Sequence, residues 1–108
     1  KTDERLVYIT DTFYSKFNFP NINYIMLEVN YSMEILNKNV EEGVIPPAQK
    51  NRVIRSHMGL KTAKEFLQAN DLSQVKQIWL LHLSDRNSNA QKFKKEIQEI
   101  SGKPVYIA

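Results

Sequence analysis

Four side chains in this 108-residue sequence stand where an apolar segment gives way to a polar loop, and each is of a type that does chemistry. Asp11 follows Ile9-Thr10. Glu28 stands in Leu27-Glu28-Val29-Asn30. His57 lies in Ser56-His57-Met58-Gly59-Leu60, and His82 in Leu80-Leu81-His82-Leu83-Ser84-Asp85. A carboxylate oxygen and a neutral imidazole nitrogen are ordinary ligands for zinc or manganese. One carboxylate can bridge two metals that share a hydroxide. A second acid beside a second histidine can form a dyad, the carboxylate orienting the imidazole as a general acid. Each residue also has a plainer use. An Asp at a strand end caps a turn, a Glu among apolar neighbours pairs with a Lys, and a histidine can be structural. No two of the four are spaced i, i+4 on a helix, so spacing brings none of them together.

Other chemistries find less support. Only Gly43, Gly59 and Gly102 are glycines, so no Gly-rich phosphate loop exists. There is no cysteine nucleophile and no Gly-x-Ser-x-Gly elbow. Phe13, Tyr14, Phe17 and Phe19 cluster in one loop, as a lid over a ligand or as a small satellite core.

The elements that must position these residues can be read from the apolar pattern. Leu6-Val7-Tyr8-Ile9-Thr10 is a buried strand, and residues 12–23 are a loop broken by Pro20 and several Asn. Residues 24–29 are a second strand. Residues 32–37 read as a short helix with Ser32 as N-cap. Pro47 opens a helix to about Ser56, and Leu60, Ala63, Phe66 and Leu67 mark an amphipathic helix over 61–69. Ile78-Trp79-Leu80-Leu81 is a third strand. Ala90, Phe93, Ile97 and Ile100 stripe a helix over 89–100, which Gly102 and Pro104 end. Val105-Tyr106-Ile107 is a last short strand. The order β, β, α, α, α, β, α, β predicts an α/β domain spanning 1–108, whose reactive residues follow strands.

Composition sets limits. Hydrophobic residues make up 42% and charged residues 25%, which excludes disordered and fibrous classes. No run of about 18 apolar residues could span a membrane. Zero cysteines exclude disulfides and fit a reducing, cytoplasmic setting. The net charge of +3 permits an anionic partner, and the basic residues look scattered.

Taken in order, Thr10-Asp11-Thr12, Leu27-Glu28-Val29-Asn30, Ser56-His57-Met58-Gly59-Leu60 and Leu81-His82-Leu83-Ser84-Asp85-Arg86-Asn87 resemble the C-terminal half of metallo-β-lactamase-fold hydrolases. The branch most similar includes tRNase Z, related exonucleases and phage anti-Pycsar enzymes that open cyclic nucleotides. The resemblance implies half of an αββα sandwich, with a mixed sheet covered by helices. It implies Asp11 as the carboxylate bridging two metals and His82 as a metal ligand, with Glu28 and His57 as the dyad that protonates the leaving oxygen. Ser84, Asp85 and Asn87 would lie near substrate, with no role assigned. The cofactors implied are two divalent ions, zinc before manganese.

The family's His-x-His-x-Asp-His motif and a later ligand histidine are absent from this sequence. The resemblance assigns them to an N-terminal half preceding Lys1, so the chain alone is expected to be inactive. The implied activity is a metal-dependent phosphodiesterase on a nucleotide phosphodiester, a cyclic nucleotide ahead of an RNA end. An exposed sheet face, lined by alternate residues of 6–9, 24–27 and 78–81, should need a cover, either the missing half or a homodimer partner. The alternative is a non-catalytic α/β interaction domain whose acids and histidines are structural.

Overall fold

The structure, a computed structural model, describes residues 4–9 and 21–108. Its elements in chain order are β1 (Leu6–Ile9), β2 (Tyr24–Glu28), α1 (Met33–Glu41), α2 (Pro47–Ser56), α3 (Leu60–Ala69), β3 (Gln77–Leu81), α4 (Ala90–Ser101) and β4 (Val105–Ile107). The four strands form one sheet in the order β1-β2-β3-β4, and all three pairings are parallel. A mixed sheet was expected, and these strands do not form one. The reason lies in the connections: β2 reaches β3 through α1, α2 and α3, and β3 reaches β4 through α4. Such crossovers return the chain to the edge it left, as parallel pairing requires.

Helix ends follow local chemistry. The Ser32 side chain accepts from the Ile35 N–H at 3.2 Å, and the Asn89 side chain from the Lys92 N–H at 3.1 Å. Gly102 ends α4 in the left-handed region, φ 69°, where a Cβ would strain the backbone. Helix α1 runs four residues past the predicted Asn37. No breaker intervenes before Gly43, and Leu36 and Val40 lie one turn apart on its inner side.

Strand order follows chain order without reversal. Right-handed crossovers that always step the same way leave their helices on one face of the sheet. The core bears this out. Val7, Ile9, Ile25, Leu27, Ile78, Leu80 and Val105 point to one side and join Ala63, Phe66, Leu67, Phe93 and Ile97 of α3 and α4. The opposite face presents Leu6, Tyr8, Tyr24, Met26, Trp79 and Tyr106, none of which belongs to a buried cluster. Leu6 and Tyr8 are 55% and 57% exposed, and the rings of Trp79 and Tyr106 stack 4.9 Å apart. A second small cluster, Tyr31, Leu36 and Ile45 with Val40, Val53 and Ile54, joins α1 to α2.

Candidate functional site

The site forms at the C-terminal edge of the sheet, where parallel register brings strand ends together. Glu28 is the last residue of β2 and pairs with Leu81, the last of β3. The Val29 N–H continues the ladder to the Leu81 carbonyl at 3.1 Å. His82, the next residue, therefore emerges beside Glu28. It turns off the strand with φ 55°, a left-handed conformation uncommon for a residue bearing a Cβ. Two bonds hold it there. The Asn30 amide Nδ2 donates to the His82 carbonyl at 2.7 Å, and the Ser84 N–H donates to the Asn30 carbonyl at 3.0 Å.

His57 arrives from α2, whose C-cap it is; its N–H bonds the Val53 carbonyl at 3.0 Å. Residues 57–60 then run beside residues 28–31. The Asn30 N–H donates to the Met58 carbonyl at 2.9 Å, Tyr31 and Gly59 form a parallel bridge, and the Leu60 N–H donates to the Tyr31 carbonyl at 2.7 Å. Gly59 permits this approach. A Cβ there would lie 2.7 Å from Cζ of Tyr31, inside van der Waals contact. Tyr31 was not singled out from the sequence, because the close approach exists only between segments 28 residues apart.

Glu28 is the centre of the arrangement. It is completely buried. Oε1 accepts from the Met58 N–H at 3.0 Å, and Oε2 lies 2.8 Å from His57 Nδ1. The Glu28–His57 distance falls within the hydrogen-bond reach expected for the dyad. Beyond that expectation, His82 Nδ1 is 3.5 Å from the same Oε2, at ion-pair rather than hydrogen-bond distance. One buried carboxylate thus faces two imidazoles, whose side chains are 38% and 50% exposed. The phenol of Tyr31 is 7% exposed, and its pKa is raised above the ordinary tyrosine value by burial first and by the Glu28 charge second. It stays protonated beside the carboxylate.

Asp11 lies outside the described residues, as do Phe13, Tyr14, Phe17 and Phe19. Among the described residues no group of three or more His, Asp and Glu could hold a metal ion. His82 is the one described residue among the two expected ligands, and its Nδ1 is turned towards Glu28. The described donors alone do not make a metal centre. Ser84 and Asn87 serve the loop instead. The Ser84 hydroxyl accepts from the Asn87 N–H at 3.1 Å, and buried Asn87 accepts from the Asn39 amide of α1 at 2.8 Å.

A buried carboxylate that holds an imidazole by Nδ1 leaves Nε2 as the atom that gives or takes a proton. That is what this arrangement can do chemically. No protein-family model matches the chain, and no curated protein matches it either, so the functional reading rests on this geometry and on the ordered motifs.

Proposed function

We propose that this chain is the C-terminal half of a metal-dependent phosphodiesterase with a metallo-β-lactamase-like αββα fold, and that Glu28 and His57 are its proton-transfer pair. The carrying observation is the 2.8 Å contact between a carboxylate with no exposure and a partly exposed imidazole at the sheet's C-terminal edge. Glu28 fixes the ring through Nδ1, and its other oxygen is occupied by the Met58 N–H, so the carboxylate is held on both sides. His57 Nε2 then delivers a proton to the oxygen that leaves phosphorus, and recovers one from solvent at the rim.

When bound, two divalent ions supply a Lewis acid and a hydroxide at neutral pH. In this reading Asp11 and His82 contribute ligands from this chain, and the N-terminal half contributes the remainder. The aromatic sheet face supports that half-sandwich reading: parallel sheets are almost always covered on both faces. The other sandwich half, or a second copy of the chain, would cover Leu6, Tyr8, Met26 and Trp79.

The test uses the full-length protein loaded with zinc or manganese and a chromogenic phosphodiester. His57→Ala should lower turnover by about 10²–10⁴, the range of general acid–base catalysis, with metal content unchanged. Unaltered turnover would remove the dyad from the mechanism. A wild-type protein that neither binds metal nor cleaves phosphodiesters would favour the non-catalytic interaction domain, for which Glu28 is a buried structural clamp on His57 and Met58.

A further inference from the structure

We propose that the side chain of Asn30 is the positioning residue for His82: its amide holds the turn that brings this imidazole to the Glu28 side of the sheet edge. The inference rests on the phosphodiesterase reading above, in which His82 is a ligand, and adds a residue to it. Glu28 pairs with Leu81, so these two side chains leave the sheet on the same side, opposite to Leu27 and Leu80, which enter the core. A strand continued through His82 would send the imidazole to the Leu80 side, across the sheet from the carboxylate. The structure shows the reverse, with His82 Nδ1 3.5 Å from Glu28 Oε2.

What reverses the ring is the backbone of His82. Its φ of 55° takes the chain off the strand in a left-handed turn. That conformation crowds the Cβ of an L-residue, and it persists only where surrounding bonds over-determine it. Glycine would adopt it without strain, so the turn by itself does not call for a histidine. The strained backbone and the imidazole at Glu28 therefore belong together, and something must hold the turn.

Asn30 supplies that restraint. Its Nδ2 donates to the His82 carbonyl at 2.7 Å and so pins the peptide plane that follows the imidazole. A carbonyl can only accept, so the amide nitrogen and not the amide oxygen must face it. The main chain of the same residue bonds to both neighbouring segments. Its carbonyl accepts from the Ser84 N–H at 3.0 Å, and its N–H donates to the Met58 carbonyl at 2.9 Å. The two histidines are thus tied to Asn30 in different ways. The segment carrying His57 is held through the main chain at Met58, a bond that Ala at position 30 would keep. The turn at His82 is held through the side chain, which needs a donor of this length.

The experiment compares full-length wild type with Asn30→Ala and with Asn30→Asp, which keeps the shape and loses the donor. Amide exchange is read without metal. The Ser84 amide should exchange about tenfold faster in both variants, the worth of about one hydrogen bond, because the turn that presents it is released. The amides at positions 30 and 60 should keep their wild-type protection, since their bonds run between main chains. Zinc affinity should fall about 10–100-fold, the usual loss when the partner of a metal ligand is removed. Saturating zinc should then restore most of the turnover of Asn30→Ala, whereas His57→Ala should stay slow at any zinc concentration. In a wild type that binds zinc, an unchanged zinc affinity or an unchanged Ser84 exchange in both variants would overturn the positioning role. Loss of protection at 30, 60 and 84 together would also overturn it, because the damage would then be to the whole edge. Faster exchange at Ser84 alone, in a protein whose wild type binds no zinc and cleaves no phosphodiester, would keep Asn30 as the holder of the turn and overturn the phosphodiesterase.

Discussion

The contact between Glu28 and His57 should appear as a coupling energy of about 1.5–3 kcal/mol in a double-mutant cycle, the range for hydrogen bonds to charged groups. The perturbations are His57→Ala, Glu28→Gln and both together. His57→Ala strips a partner 2.8 Å away from a carboxylate with no solvent exposure, so its cost should fall at the upper end of that range. Glu28→Gln is gentler. The amide keeps the shape and can still accept from the Met58 N–H, now 3.0 Å from Oε1, while its NH₂ turns to a neutral His57 Nδ1. It exchanges a charge-assisted bond for a neutral one and also removes a buried charge, for a net cost of about 1 kcal/mol. In the double variant no buried charge is left without a partner, so its cost should be below the sum of the two. Urea denaturation of the four proteins at pH 7 measures the cycle. Thermal midpoints give a second readout, with 1 kcal/mol shifting a domain of this size by about 4–8 °C. Additivity within about 0.5 kcal/mol would refute the reasoning, because it would mean the carboxylate does not depend on the imidazole.

Gly59→Ala should destabilise by about 1–3 kcal/mol, since the new Cβ would meet the Tyr31 ring at 2.7 Å; Tyr31→Leu on the same background should recover part of that loss in the same denaturation assay. The raised Tyr31 pKa makes the folded state hold its proton more tightly, so that contribution to stability is complete below pH 10 and is lost as pH rises through the folded value. Denaturation midpoints should accordingly fall above pH 10, and Tyr31→Phe should flatten that fall. Asn89→Ala removes the acceptor of the Lys92 N–H and should cost about 0.5–2 kcal/mol, read as a lower thermal midpoint. The Glu4 carboxyl, paired with Lys76, should titrate below 4.5 by NMR, and Lys76→Gln should return it towards that value.

How much of this was legible depends on the range of the interaction that decides it. Strands β2 and β3 are continuous apolar runs, and the Ser32 and Asn89 ends of α1 and α4 carry their capping chemistry within three residues, so local sequence is enough. The length of α1 was not legible, because its inner side offers only Leu36 and Val40 to a small cluster that includes Ile45 and Val53. The constraint on Gly59 comes from a ring 28 positions away, that of Tyr31, which no local pattern reveals. The nearness of His82 to Glu28 depends on the β2–β3 register, which no local pattern fixes. The Glu28–His57 pairing was accessible only through the order of the motifs, since 29 positions separate the two.

The same bonds that build this edge also set its chemistry, and that decides which variants can be interpreted. Met58 N–H holds Glu28 by Oε1, Met58 carbonyl holds Asn30, and the Asn30 side chain holds the carbonyl of His82. A truncation at Glu28 therefore loosens residues 57–60, 28–31 and 82 at once, and a fall in activity after Glu28→Ala says little about proton transfer. His57 is different. Its ring is more than a third exposed, and the ladder between 28–31 and 57–60 runs through main-chain atoms, so removal of the ring leaves that ladder in place. A loss of turnover in His57→Ala, with the ladder still protected from amide exchange, would point to the imidazole itself, whereas a loss accompanied by deprotection of Asn30 and Leu60 would point to the scaffold.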